Sequence, residues 1–180
     1  MTEHEPKQIY VVDADNRPLA VMPVEEVHSQ NLRHRGFFLL LTDSSGRLVL
    51  RRRTAGHPAS PGNWDIPGSG HTGIDEAADE AAERALPDVL QSQELSPHHS
   101  LHLESGAGTG NEAVDVFEIR IPDRMLHHFT DSLEYLLVDQ DEFQALAASY
   151  RDCFTAELAT VWDRRLYRWP DMTGRESGVS

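Results

Sequence analysis

The stretch that most limits the fold of this chain runs from Trp64 to Leu90. A glycine-rich loop with Gly68, Gly70 and Gly73 leads into an acidic, alanine-rich segment. Ile74, Ala77, Ala78, Ala81, Ala82, Ala85 and Leu86 recur at helical spacing and predict one apolar face. Glu76, Asp79, Glu80 and Glu83 fall outside that face. Asp75 suits the N-cap, and Glu76 the first turn, where the helix dipole favours negative charge. Arg84 follows Glu80 at i,i+4, within pairing reach. Pro87 lacks an N–H and should break the helix just before Asp88. The expectation is a bend feeding a helix at the rim of a mixed sheet.

The flanking sequence supplies that sheet. Residues 8–12 read as a strand, the Asp13–Pro18 segment as a turn and 19–22 as the return strand of a hairpin. Pro23 opens a short helix that reaches Gln30. Residues 35–42 hold the run Phe-Phe-Leu-Leu-Leu, suited to a strand buried on both faces. The turn 43–46 joins it to 47–53, which reads as its antiparallel neighbour. Residues 54–63 carry Gly and Pro punctuation and form a loop. Residues 91–99 are irregular, and 105–110 make a flexible turn before a strong strand at 113–121. Residues 134–138 read as another strand, Asp139 as the cap of a helix over 140–149, and Phe154 or Thr155 as the start of a last helix reaching about Arg168. One domain over 1–170 and a disordered tail over 171–180 are expected. Strands, a helix, more strands and two helices make an α+β chain of layered α/β/α form.

Charge excludes some functions. The formal net charge is −14, which argues against non-specific nucleic-acid binding and against an anionic membrane surface. A phosphate-bearing ligand would need a local basic patch or a metal. The single cysteine, Cys153, forbids an internal disulfide and fits a reducing compartment. It reads as a small buried apolar residue. No apolar run approaches a membrane span, and the first residues lack a signal-type segment, so a cytoplasmic protein is expected.

Taken alone, several residues invite two readings. Glu112, at the loop end of a buried strand, fits a general base or a metal ligand, or else a solvated turn residue. His71 fits a ligand of a metal or a phosphate oxygen, or a loop side chain packing on the helix start. His28 and His34 read as structural. Arg51 and Arg53 share one face of their strand, where guanidinium groups would suit a diphosphate or simply guard a sheet edge. Glu80 and Glu83 read as metal ligands or as solvated helix carboxylates. Glu76 and Arg84 read as a structural pair. His98, His99 and His102 have no carboxylate at ligand spacing and are expected in a loop.

The 64–90 stretch also resembles the signature of the Nudix hydrolase superfamily: Gly, five residues, Glu, seven residues, then Arg-Glu-apolar-x-Glu-Glu. Gly70, Glu76, Arg84 and Leu86 fill their positions, but Ala85 replaces a glutamate and the closing pair is Asp88-Val89. Of the three carboxylates that usually hold the metal, only Asp88 remains. The resemblance extends over roughly residues 9–169 and is closest to the branch related to isopentenyl diphosphate isomerase. It rests there on His28, on the run from Leu32 to Gly36, on Arg52-Arg53, on Pro61-Gly62-x-Trp64 and on Asn111-Glu112. The resemblance implies a Nudix-like α/β/α sandwich with a mixed β-sheet. It also implies Mg2+ or Mn2+ as cofactor and a small diphosphate-containing molecule as substrate. The isomerases' metal histidines look like His28, His34 and His71, and their catalytic glutamate like Glu112. Ser69 stands where they carry a catalytic cysteine, and Gly110 where they carry a further metal carboxylate.

Cleaving a diphosphate requires neutralising phosphoryl charge, which hard cations on converging carboxylates supply. Three functions follow. The first is a pyrophosphohydrolase in which Arg53 holds phosphate, Glu112 is catalytic, and Asp88, Glu83 and His71 make a reduced metal site. The second is a non-catalytic diphosphate- or nucleotide-binding module. The third is an isomerase-like enzyme, weakened because a serine hydroxyl cannot easily replace a thiol in proton transfer.

Overall fold

The apolar run at Phe37–Leu41 becomes the centre of the molecule. The computed structural model describes residues 6–170 except positions 58, 92, 94, 107 and 108. The disordered tail expected at 171–180 lies outside the described residues, as does part of the expected turn at 105–110. Nine strands form one mixed sheet. In chain order the strands are β1 (Gln8–Val12), β2 (Pro18–Pro23), β3 (His34–Thr42), β4 (Leu48–Arg52), β5 (Trp64–Asp65), β6 (Gly68–His71), β7 (His98–Leu103), β8 (Glu112–Arg120) and β9 (Tyr135–Val138). The helices are α1 (Val24–Ser29), α2 (Ala78–Arg84), α3 (Asp88–Gln91), α4 (His127–Thr130), α5 (Gln140–Ser149) and α6 (Ala156–Asp163).

β3 pairs with β8 in parallel along its whole length, from His34↔Glu112 to Thr42↔Arg120. Its other edge is shared. β1 meets it at His34, β6 runs antiparallel to it from Gly36↔His71 to Leu39↔Gly68, and β4 meets it only at Thr42↔Leu48. The expected β3–β4 hairpin therefore splays open directly after its turn. β4 pairs instead with β9 and β5, and β6 enters the gap.

Side chains alternate across a strand, so β3 feeds two cores. Phe38 and Leu40 pack with Val114 and Val116 against Phe143 of α5 and Leu158 and Val161 of α6. Phe37, Leu39 and Leu41 pack with Phe117 and Ile119 against Ala81 and Ala82 of α2, Leu86, and Leu90 of α3. Burying each such Leu or Phe contributes roughly 1.5–3 kcal/mol. The layers are helix, sheet, helix, which is the α/β/α sandwich with a mixed sheet that the sequence predicts. The alanine stripe lets α2 come close. A Cβ on Gly68 would stand 3.2 Å from the carbonyl oxygen of Ala85 and 3.2 Å from Cβ of Leu39.

Several local expectations are corrected. α2 starts two residues later than expected, after Ala77. Asp75 sits in the left-handed region at φ 57° and bonds to the Tyr10 hydroxyl (2.9 Å) instead of capping the helix. Ile74 is exposed and Ala77 lies off the buried face. Glu80 accepts from the Ala77 amide (2.9 Å), and Arg84 pairs with Glu76 rather than Glu80. α6 stops at Asp163, where Arg165 at φ 52° turns the chain, and Leu166 and Tyr167 are buried outside the helix. His98, His99 and His102 lie on strand β7, not in a loop. Cys153 is only half-buried. Asp139 caps α5 as expected, with reciprocal bonds to Glu142 of 2.9 Å each way. Among the described residues no helix is long and apolar enough to cross a membrane.

Candidate metal centre

Four side chains from four elements meet at the start of β3. His28 stands on the last turn of α1, whose Val27 is fully buried against Ile9 and Val11. His34 opens β3, His71 ends β6 and Glu112 opens β8. The pairings His34↔Glu112 and Gly36↔His71 bring three of these strand positions to one face. That is the face of Phe38 and Leu40, opposite the one that packs on α2. Asn111 donates its side-chain amide to the carbonyl of Asn31 (2.8 Å), which ties the loop after α1 to the loop before β8.

The ligand atoms converge. His28 Nε2 lies 3.0 Å from His71 Nε2, which lies 3.0 Å from Glu112 Oε1, and His34 Nε2 lies 3.1 Å from the same oxygen. One donor-type atom from each of the four residues falls within 4.8 Å of all the others. His34 is buried, and its Nδ1 lies 2.8 Å from the carbonyl oxygen of Leu32. A carbonyl only accepts, so Nδ1 carries the proton and Nε2 turns its lone pair inward in the neutral ring. This is how ligating histidines are commonly oriented. A single proton on His71 Nε2 cannot serve both His28 and Glu112. The cluster thus gathers more lone pairs than protons, an arrangement that a cation satisfies.

Gly36 makes room for it, because a Cβ there would stand 3.1 Å from Glu112 Oε2 and 3.3 Å from the Gly70 carbonyl. Burial pushes the Glu112 carboxyl up, but when the His34 and His71 rings are protonated their hydrogen bonds and charge outweigh it and hold the group at about 2. Glu112 is therefore ionised at neutral pH and suited to be a ligand. A general base works best with a pKa near the working pH, which this carboxylate lacks.

The retained signature residues act one layer away. Arg84 donates to both oxygens of Glu76, at 2.7 and 2.8 Å, and to the backbone oxygen of His71 at 3.1 Å. Glu76 also accepts from the Gly73 amide at 2.7 Å. Burial raises the Glu76 carboxyl, but Arg84 and the Gly73 amide more than offset this and lower it. The pair braces the loop that carries His71.

The other expected site residues are not in the cluster. Glu83 and Asp88 are exposed, and Asp88 accepts a long bond from Gln91 (3.3 Å). They belong to the side of the sheet that α2 and α3 cover, which is why they do not reach His71. Arg51 donates to Glu134 at 2.9 Å. Arg53 is held by Asp65 (2.7 Å), the Ala59 carbonyl (3.0 Å) and Glu157 (3.3 Å), and so clamps β4 to β5 and α6. Ser69 pairs with Phe38 and shares the face of His71. Spacing alone could not mark His28 and His34 as ligands, because the four residues span 28 to 112. The resemblance to the isomerase branch was the signal that pointed to them.

The layers and the braced loop define a protein of the Nudix fold. Among solved structures, DR0079 of Deinococcus radiodurans, elsewhere described as a hypothetical Nudix protein, superposes with a TM-score of 0.68 at 18% identity, over 89% of this chain and 99% of that one. No family model matches the chain. An isopentenyl-diphosphate Delta-isomerase of Burkholderia multivorans is 27% identical over 130 residues, covering 63% of this chain and 74% of that protein. The uncharacterized Nudix hydrolase PA4841 of Pseudomonas aeruginosa is 37% identical over 79 residues, covering 44% of this chain and 47% of that one. The uncharacterized Nudix hydrolase YfcD of Escherichia coli is 30% identical over 80 residues, 44% of each. The chain spans about half the length of these two hydrolases. The chain has the Nudix fold and is similar in sequence both to Nudix hydrolases and to isopentenyl-diphosphate isomerases.

Proposed function

We propose that this chain is a divalent-metal-dependent Nudix hydrolase that cleaves a diphosphate linkage in a small molecule, with its metal in the His28, His34, His71 and Glu112 cluster. The observation that carries this reading is the convergence of those four ligand atoms within 4.8 Å. The donor set fits a cation. It has three imidazole nitrogens and one ionised carboxylate, which suit a zinc- or iron-like ion better than Mg2+, whose sites are built from oxygen. A divalent ion bound there would neutralise phosphoryl charge and act as a Lewis acid. His34 is held in the ligating tautomer by Leu32, His71 is placed by the Glu76–Arg84 brace, and Glu112 contributes the negative charge. Neither Arg51 nor Arg53 is assigned to the phosphate, since both already hold carboxylates.

A second reading, a binding module without turnover, is favoured by one observation: the carboxylates of α2 and α3 do not join the cluster. A panel of diphosphates assayed with Zn2+, Mn2+ and Mg2+ separates the two. Release of phosphate or a monophosphate that disappears in Glu112→Gln supports the hydrolase. Metal and ligand binding with no release supports the module. Metal affinity unchanged in both Glu112→Gln and His71→Ala would defeat both readings. Deuterium entering isopentenyl diphosphate from heavy water would instead establish an isomerase.

A further inference from the structure

A second histidine cluster lies on the opposite face of the sheet. His99 Nε2 and His102 Nδ1 on β7 each lie 2.9 Å from the same oxygen of Asp115 on β8. Residues three apart on a regular strand face opposite ways. Here the register between β7 and β8 shifts between His99 and Leu101, and this bulge turns both rings to one side. The ring of His99 packs edge-on against Phe117, with centroids 5.4 Å apart, which fixes its direction. The other nitrogen of His102 has Glu104 at 4.0 Å. Phe117 belongs to the core under α2, whereas Glu112 opens onto the other face.

We propose that His99, His102 and Asp115 form a second divalent-metal site, selective for a zinc-like ion. Two imidazoles and one carboxylate make a three-ligand set that leaves coordination positions open for water. The ion takes the place of the shared contact, and the Asp115 carboxylate turns to present an oxygen beside the two nitrogens. Among the described residues β7 is bonded only to β8 and is an edge strand. A bound ion pins that edge to its neighbour and protects its unpaired backbone. The two centres stand on opposite faces, and Asp115 lies three residues from Glu112 along β8. At about 3.3 Å per residue they are too far apart for the 3.5–4 Å of a two-metal catalytic pair. The second ion therefore holds structure and takes no part in chemistry at the first.

The test uses the full chain without an affinity tag, titrated with Zn2+ by calorimetry and with Co2+ by visible absorption. The expected result is two ions per chain. His99→Ala with His102→Ala should remove one and leave the other, His71→Ala should do the reverse, and Asp115→Asn should weaken the second site at least about tenfold. With His71→Ala as background, Zn2+ should slow amide exchange in 98–103. The proposal is overturned if His99→Ala with His102→Ala binds as many ions as the unaltered chain, or if all binding is lost in His71→Ala. Loss of all binding in the His99, His102 variant would keep this site and remove the first one instead.

Discussion

The two faces of the sheet beside β3 have different fates. On one face α2 keeps the shape of a cation-binding element: a glycine loop, a glutamate just ahead of the helix and a closing arginine. Its carboxylates point to water. On the other face three histidines and a glutamate, scattered over the chain, meet at the start of β3. The link between the faces is Arg84, which holds Glu76 and reaches the His71 carbonyl. A motif can thus outlast its ligands because its ion pair places a backbone that another site uses. If so, damage on the histidine face should abolish metal binding at that cluster, damage to the brace should weaken it there, and damage to the helix carboxylates should do nothing.

The largest effect should come from His71→Ala or Glu112→Gln. Each removes a proposed ligand, and metal affinity should fall by at least about a hundredfold, since even outer partners of ligands are worth ten- to a hundredfold. Calorimetry with Zn2+ checks this, and affinity within threefold of the unaltered chain would break the contrast between the faces.

Acid should act next. The Glu112 carboxyl titrates at about 2 in the folded chain against 4.5 for an unperturbed glutamate. A depressed carboxylate contributes stability that is complete above the unfolded pKa and is lost as pH falls from 4.5 towards 2. The difference of 2.5 units (4.5 − 2) corresponds to about 3 kcal/mol at most. Urea unfolding of the metal-free chain should show this loss between pH 4.5 and 2, and Glu112→Gln should flatten it. An unchanged slope would mean that the histidines do not hold the carboxylate.

Arg84→Ala should rank third. It leaves Glu76 partly buried without its cation and frees the His71 carbonyl. A fully buried pair would cost about 3–5 kcal/mol, and partial exposure here reduces that to about 2. Thermal melting should fall by about 6 °C for a chain of this size. Metal affinity should fall with it, which a stability effect remote from the cluster would not produce.

Much of the scaffold is written locally. The Phe-Phe-Leu-Leu-Leu run gives β3, the Asp139–Glu142 box gives the start of α5, and the count from Gly70 to Arg84 gives the braced loop. What is not written locally is how strands meet. Asp115 becomes the partner of His99 and His102 only because β7 folds back on β8 with a bulge between them. The open β3–β4 hairpin, with β6 entering it, is also a long-range choice. Asp75 failed as a cap because Glu76 is pulled down by Gly73 and Arg84, which leaves the helix to begin after Ala77. Arg53 looked free for phosphate because Asp65 and Glu157 are 12 and 104 residues away.

The smallest effect sharpens the comparison most. Glu83→Gln and Asp88→Asn alter the two residues that the signature would place at the metal. Both are exposed, and neither contacts the histidine cluster among the described residues. Surface changes of this kind stay within about 0.5 kcal/mol, roughly twofold in affinity or melting equilibrium. Each variant should therefore bind Zn2+ and melt as the unaltered chain does. A tenfold loss of metal affinity in either one would mean that α2 still supplies a ligand, and that an ion spans the rim between the two faces. The division of labour would then fail, even with His71→Ala and Glu112→Gln behaving as expected.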